Sequence, residues 1–333
     1  MIRIAVDAMS GDLGPRVAIL AALQLAEARA GLELILVGDQ AQLEAMLPPQ
    51  YPPAIKIHHA ADVVTMSDDP RLALRRKRES SMWQALSLVQ QGEADACVSA
   101  GNTGALMAMS RFLLKTLPGI ERPAICKAMP VIAGQTYMLD LGANHQCTVQ
   151  QLHQFALMGH ALARSDGIDK PSVALLNIGV EPGKGTNLVV DAHERFEADA
   201  QLNYVGFIEA DTIYNGVADV IVCDGFSGNI ALKASEGVAR LINHKIETSL
   251  AEHWSYRFLA WLVRPLLLRW RRELNPGTYN GALFLGLNKA VIKSHGSADQ
   301  IAFCQAIDVA VEQVRHPLSE IIEAELRTRS NAD

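Results

Sequence analysis

The sequence predicts an α/β fold, a largely parallel sheet held between two layers of helices. Three observations lead there. Short β-rich runs alternate with amphipathic stretches, several of those runs end in clusters of glycine and turn residues, and an apolar content of 49% over 333 residues is ample for a core. The length allows one large domain or two modest ones. No internal repeat, low-complexity tract or Pro/Ser linker divides the chain, so residues 1–333 are read as a single domain.

The elements follow in order. "IRIAV" is a short strand pattern, followed by an amphipathic stretch from Val17 to Ala30. "LELILVG" with Gln42–Met46, "ADACVSA" with Gly104–Thr116, "SVALLNIG" with Leu188–Ala200 and "ADVIVCDG" with Asn229–His244 repeat the pattern. This is βαβ rhythm, each helix serving as the crossover that a parallel pair requires. Five strand ends carry turn-and-glycine clusters: "DAMSGDLGP", "SAGNTG", "LDLGAN", "NIGVEPGKG" and "CDGFSGN". In open α/β sheets, ligands gather outside the carboxyl ends of strands, where free amides and helix N-termini point, so the five loops together are the expected site.

One segment breaks the rhythm. "LAEHWSYRFLAWLVRPLLLRWRREL", from Leu250 to Leu274, carries three of the chain's four tryptophans and five arginines. Its most apolar part, Phe258 to Leu268, would span about 16 Å as a helix, against roughly 30 Å of bilayer hydrocarbon. It is too short to cross a membrane, yet tryptophan beside arginine suits the headgroup boundary. The expectation is a protruding helical segment over 245–278 that contacts another subunit and a membrane surface; a wholly internal helix is the alternative.

A net charge of −6 and a pI near 5.9 argue against a general nucleic-acid binder, so an acidic partner would have to meet a local basic patch. Two such patches exist, Arg71 with Arg75, Arg76, Lys77 and Arg78, and Arg111 with Lys115 and Arg122. The five cysteines are odd in number, widely spaced and mostly in apolar surroundings, which favours reduced thiols and a cytoplasmic protein. No export signal is visible at the N-terminus. C-x-x-C, H-E-x-x-H and acidic calcium-loop patterns are all missing, so no metal site is expected.

"NIGVEPGKGTNLV" looks at first like a nucleotide loop, but it is neither a P-loop nor a dinucleotide fingerprint. Five residues before Gly183 stands Ile178, Gly185 follows Lys184, and Leu188 stands where a third glycine would be needed. "GFSGN" fails as a hydrolase elbow because Asn229 replaces the last glycine, and Ser227 reads as the helix N-cap. What a cap does not explain is the company. Ser227 and Asn229, beside the Asp224 carboxylate at one strand end, Asn102 and Thr103 at another and Lys184 on a third supply donors suited to an oxyanion and to phosphate oxygens.

Together the blocks "DAMSGDLGP", "VVTMSDDPRLALRRKRESSM", "SAGNTGALM", "LDLGAN", "NIGVEPGKGTNL", "ADVIVCDGFSGNIALKASEG" and "YNGALFLGLNKAVIKSHGSAD" resemble the PlsX family of bacterial phosphate acyltransferases, in order from Asp7 to Asp299. Ser10 departs from the pattern, where the family usually has a second glycine. The resemblance implies transfer of a long-chain acyl group from the thioester of acyl carrier protein to inorganic phosphate, giving acyl phosphate for phospholipid synthesis. It also implies a three-layer α/β/α fold similar to the isocitrate and isopropylmalate dehydrogenases and to phosphotransacetylase, no cofactor, and a homodimer. The product would pass to a glycerol-3-phosphate acyltransferase, from a cytoplasmic protein in transient contact with the membrane.

Carried over by residue, the family's chemistry falls on Lys184 and Asn229, as oxyanion or phosphate donors. Asp7, Asn102, Thr103, Asn144, Asp224, Ser227 and His295 line the other matching loops as substrate-binding candidates. A phosphotransacetylase-like use of acyl-coenzyme A, and a membrane scaffold in which catalysis is secondary, are the competing readings.

Overall fold

The computed structural model describes residues 1–181, 183–252, 263 and 280–330. Its strands are β1 Ile2–Asp7, β2 Leu32–Gly38, β3 Ile55–His59, β4 Ala96–Ser99, β5 Ala124–Val131, β6 Gly134–Leu139, β7 Ser172–Asn177, β8 Asn203–Glu209, β9 Val220–Val222, β10 Ala282–Leu285 and β11 Ala290–Lys293. Its helices are α1 Pro15–Ala28, α2 Gln40–Met46, α3 Pro70–Arg76, α4 Ser81–Gln91, α5 Thr103–Leu114, α6 Val149–Ser165, α7 Asn187–Glu197, α8 Gly225–Glu252, α9 Gln300–Arg315 and α10 Leu318–Ser330. All the strands belong to one sheet in the order β3-β2-β1-β4-β11-β10-β5-β6-β9-β7-β8.

Period-two alternation sends successive side chains to opposite faces and so divides the core. Ile4 and Val6 of β1 pack with Phe303 and Ile307 of α9 and with Ala18 and Ala22 of α1. Ala5 faces the other way, toward Met82 and Leu86 of α4 and Leu106 and Met109 of α5. In the second half Leu139 and Val220 meet Phe155 and Met158 of α6 and Leu318 of α10. Ala231 and Leu232 of α8 join the α4 and α5 side. The expected α/β/α layering is present.

The sheet is parallel on both flanks, but its centre is not. β10 runs antiparallel to β11 and to β5, and β5 runs antiparallel to β6. Beyond that reversal β6, β9, β7 and β8 are parallel again, now opposite in direction to β1, β2, β3, β4 and β11. Two of the five turn clusters, after β1 and β4, therefore leave one edge of the sheet, and three, after β6, β7 and β9, leave the other. The expectation of a single cluster of five loops is corrected on this point. The cause is the β5–β6 hairpin. Two residues, Ile132 and Ala133, connect the strands, too few for a crossover helix.

Of the 245–278 segment, residues up to Glu252 continue α8. The Trp254–Leu274 stretch, apart from Val263, lies outside the described residues. Among the described residues no helix is long and apolar enough to cross a membrane.

Candidate active site

The edge formed by β6, β7 and β9 is built around a carboxylate that sequence reasoning passed over. Asp140 follows β6, is fully buried, and accepts hydrogen bonds from the amides of Ile125 (2.9 Å), Ala143 (3.0 Å) and Asn144 (2.7 Å) and from Nδ2 of Asn144 (2.9 Å). Burial raises its pKa, against those donors, which favour the ionised form. Nδ2 of Asn144 also donates to the carbonyl of Pro123 at 2.8 Å. Asn144 is therefore a brace between the β6 loop and the start of β5, with both donors engaged inside the protein.

The N-terminus of α8 docks on this loop. The Gly225 amide donates to the Asn144 carbonyl at 2.8 Å. A side chain at Gly225 would stand 2.7 Å from the same carbonyl oxygen, and one at Gly228 would fall on the carbonyl oxygen of Asp140, so the glycines permit the approach. The cap is Asp224, which accepts from the amides of Phe226 and Ser227 at 2.9 Å each. Ser227 is not the N-cap. It sits in the first turn and donates its hydroxyl to Asp224 at 2.9 Å, because the helix begins at Gly225, three residues earlier than the serine reading requires. One turn on, half-buried Asn229 faces Gly142, whose missing side chain would lie 3.4 Å from Asn229 Cβ. Gly142 has φ 125°, open to glycine and strained for other residues.

Lys184 lies on the loop after β7, and β7 is the immediate neighbour of β9. Nδ2 of Asn177 holds the Lys184 carbonyl at 2.9 Å, and Gly185, at φ 100°, leaves no room for a side chain against Asn177. The Lys184 side chain is exposed. Thus Asn144, Asp224, Ser227, Asn229 and Lys184 share one edge.

The other four predicted residues lie at the opposite edge. Asp7 is buried and takes the hydroxyls of Ser81 and Ser99 on its two oxygens, at 2.6 Å each; burial raises its pKa, and the hydroxyls pull the other way. Ser10, the departure from the family pattern, donates to the Asp7 carbonyl at 3.0 Å and accepts from the Ala100 amide at 3.1 Å. Among the described residues Lys115 alone of the non-glycines has positive φ, so the serine is unstrained. Asn102 caps α5 through the Ala105 amide and donates to the carbonyls of Met66 (3.1 Å) and Asp68 (3.0 Å), and Thr103 opens the helix half-buried.

His295 follows β11. Its Nδ1 accepts from the Ser297 amide at 3.2 Å, and its Nε2 lies 3.8 Å from Glu236, which in turn pairs with half-buried Lys127 at 3.4 Å. Burial lowers the pKa of both His295 and Lys127, while Glu236 raises them. Lys293 is pushed down to about 8 by burial, although Asp7 and Asp12 oppose it. Asp140, Lys127, Glu236 and Lys293 are ionisable residues at these two edges that sequence reasoning did not assign to the site. For Asp140, Glu236 and Lys293 the signal was available, since they stand inside the matching blocks "LDLGAN", "ADVIVCDGFSGNIALKASEG" and "YNGALFLGLNKAVIKSHGSAD".

The chain matches the family model described as "Fatty acid synthesis protein" over residues 2–320. It is 56% identical to the phosphate acyltransferase of Cellvibrio japonicus over 96% of this chain and 97% of that one. The chain belongs to the phosphate acyltransferase family. A second relative, the phosphate acyltransferase of Saccharophagus degradans, is 48% identical over 98% of this chain and 96% of its own. The fold extends beyond the family. A phosphotransacetylase from Streptococcus pyogenes superposes with a TM-score of 0.62 at 17% identity, covering 94% of each chain.

In this member of the phosphate acyltransferase family the two basic patches are one surface. The Arg78 guanidinium lies 5.5 Å from the Trp83 ring centroid, Trp83 packs on Phe112 at 5.8 Å, and the Lys115 ammonium lies 5.0 Å from Phe112. Arg71, Arg75, Arg76, Arg111 and Arg122 are exposed. Lys77 does not belong to it. Its ammonium donates to the Val63 carbonyl at 2.6 Å and pairs with Asp68 at 3.0 Å. Arg122 adjoins Pro123, whose carbonyl Asn144 holds, which places Arg122 next to the edge that carries Asn229.

Proposed function

We propose that this protein transfers a long-chain fatty acyl group from the thioester of acyl carrier protein to inorganic phosphate, releasing acyl phosphate and the carrier thiol. The observation that carries the reading is full-length family membership together with the pairing of Asn229 and Lys184 on adjacent strand ends. Phosphate is already a nucleophile and a thiolate a good leaving group, so the protein's task is to position both and stabilise charge. A phosphate oxygen attacks the thioester carbonyl and forms the new C–O bond. The Asn229 amide and the Lys184 ammonium hold the oxyanion or the phosphate, the C–S bond breaks on collapse, and the thiolate takes up the proton that hydrogen phosphate gives up. Asp140, Asn144 and Asp224 act through the backbone, fixing the turns that carry the donors.

The carrier is preferred to coenzyme A as donor because the net charge of −6 is interrupted by the Arg78–Lys115 surface and by exposed Arg122 next to the β6 loop, which complement an acidic protein. The test is phosphate-dependent formation of acyl phosphate from palmitoyl carrier and from palmitoyl-coenzyme A at equal concentration, captured as hydroxamate. Lys184→Met and Asn229→Ala are each expected to lower turnover roughly 10²–10³-fold with the fold intact. Wild-type turnover in both variants removes these residues from the mechanism, and no phosphate-dependent product ends the reading.

A further inference from the structure

Large apolar side chains stand exposed beside the two proposed donors. Ile178 is 78% exposed and Val180 60%, on the loop that leads to Lys184; Phe226 is 61% exposed and Ile230 53%, on either side of Asn229. Leu175 of β7 pairs with Val222 of β9, so Ile178 and Gly225, each three residues further on, leave the sheet side by side. Phe226 and Ile230 are four apart in α8 and share one face, with Asn229 next to it. Two adjacent strand ends thus place an apolar collar around a polar pair. The same four-residue ridge continues along α8 through Ala234, Val238 and Ile242, all exposed, about 24 Å of helix from Phe226. Cavities of about 380 and 610 Å³ lie elsewhere, walled by residues such as Leu287 and Ile322 or Tyr137 and Asp308, and neither includes a collar residue.

We infer that Ile178, Val180, Phe226 and Ile230 grip the methylenes next to the reacting carbonyl, with the α8 ridge carrying the rest of the chain, and so set the acyl-length preference. The inference rests on the proposed acyl transfer. A chain that must present its carbonyl to Asn229 and Lys184 needs apolar surface continuous with both, and the collar is the exposed apolar surface on their own two loops. Contact with methylene groups would remove the collar from water, which leaving four large side chains bare does not.

The experiment compares kcat/KM for hexanoyl, decanoyl and palmitoyl thioesters of acyl carrier protein in wild type, Phe226→Ser, Ile178→Ser and the double variant, all at exposed positions that do not hold the core. The palmitoyl-to-hexanoyl ratio is expected to fall at least tenfold in the double variant, about 1.4 kcal/mol. An unchanged ratio with turnover retained overturns the inference. So does loss of subunit association in sedimentation velocity without a change in that ratio, which would make the collar a contact between copies of the chain. If wild type makes no acyl phosphate at any chain length, the proposed reaction itself has failed and the collar inference falls with it.

Discussion

Alanine at Gly228 is expected to loosen the join between α8 and the β6 loop, whereas alanine at Gly237, nine residues further along the same helix, stabilises. The two positions differ in what a methyl group would meet. At Gly228 it would fall on the Asp140 carbonyl oxygen and 2.7 Å from Sγ of Cys223, both held in the interior. At Gly237 the nearest atom is the tip of Arg240, 4.0 Å away. Replacing helical glycine by alanine gains about 0.5–1 kcal/mol where there is room. Overpacking costs about 1–3 kcal/mol, so Gly228→Ala should lose roughly 0.5–2 kcal/mol net. The strain is relieved only by moving the helix end, which carries Asn229 away from Gly142. A displacement near 1 Å at a reacting site can cost about 100-fold in rate. Urea unfolding and phosphate-dependent turnover, measured on both variants, read the two effects. Equal stability and equal turnover in Gly228→Ala and Gly237→Ala would refute the reasoning, since the contacts would then be neither tight nor connected to the site.

Charge reversal at Arg78, Lys115 or Arg122 is expected to raise KM for the carrier roughly tenfold and to weaken its salt dependence, with kcat nearly unchanged; steady-state kinetics at two salt concentrations decide it. Lys293 has its pKa lowered from 10.5 to about 8, so between those values the unfolded chain binds more protons and stability rises with pH as the buried charge is relieved. Lys293→Met should flatten that rise, which is at most about 3 kcal/mol, in urea titrations from pH 7.5 to 10.5. For the Trp254–Leu274 stretch, sedimentation with anionic vesicles should show binding at low salt that Trp261→Ala and Arg264→Glu reduce; no binding at low salt would end the membrane reading.

The βαβ rhythm was legible because periodicity two and periodicity 3.6 alternate cleanly in the first half of the chain, and the loop clusters were legible because glycine and short polar residues mark strand ends. The reversal at the centre of the sheet was missed for a physical reason. Strand direction is set by connection length, and the reading passes over "AICKAMPV" and "GQTYML", whose two-residue connection permits only a hairpin. Ser227 reads as the cap because serine is a good one, but Asp224 stands at the position where the helix begins and its two oxygens serve two amides and a hydroxyl. Lys127 and Glu236 could not be paired from sequence at all. They are 109 residues apart, and nothing short of the packing of α8 on β5 brings them within 3.4 Å.

Helix α8 is fastened at two places. At its start Gly225 and Gly228 seat it on the β6 loop, and three turns later Glu236 is tied to Lys127 and lies near His295. Glu236 stands eleven positions beyond Gly225, about 16 Å of rigid rod. The helix is thereby a strut between edges that the reversed strands have set apart. Whatever displaces the His295 end, whether a bound anion or protonation of the imidazole, pushes or pulls on the turn that presents Asn229, with little compliance along the way. The antiparallel centre of the sheet, which looks like a break in an otherwise parallel design, is what gives the strut two separate edges to connect.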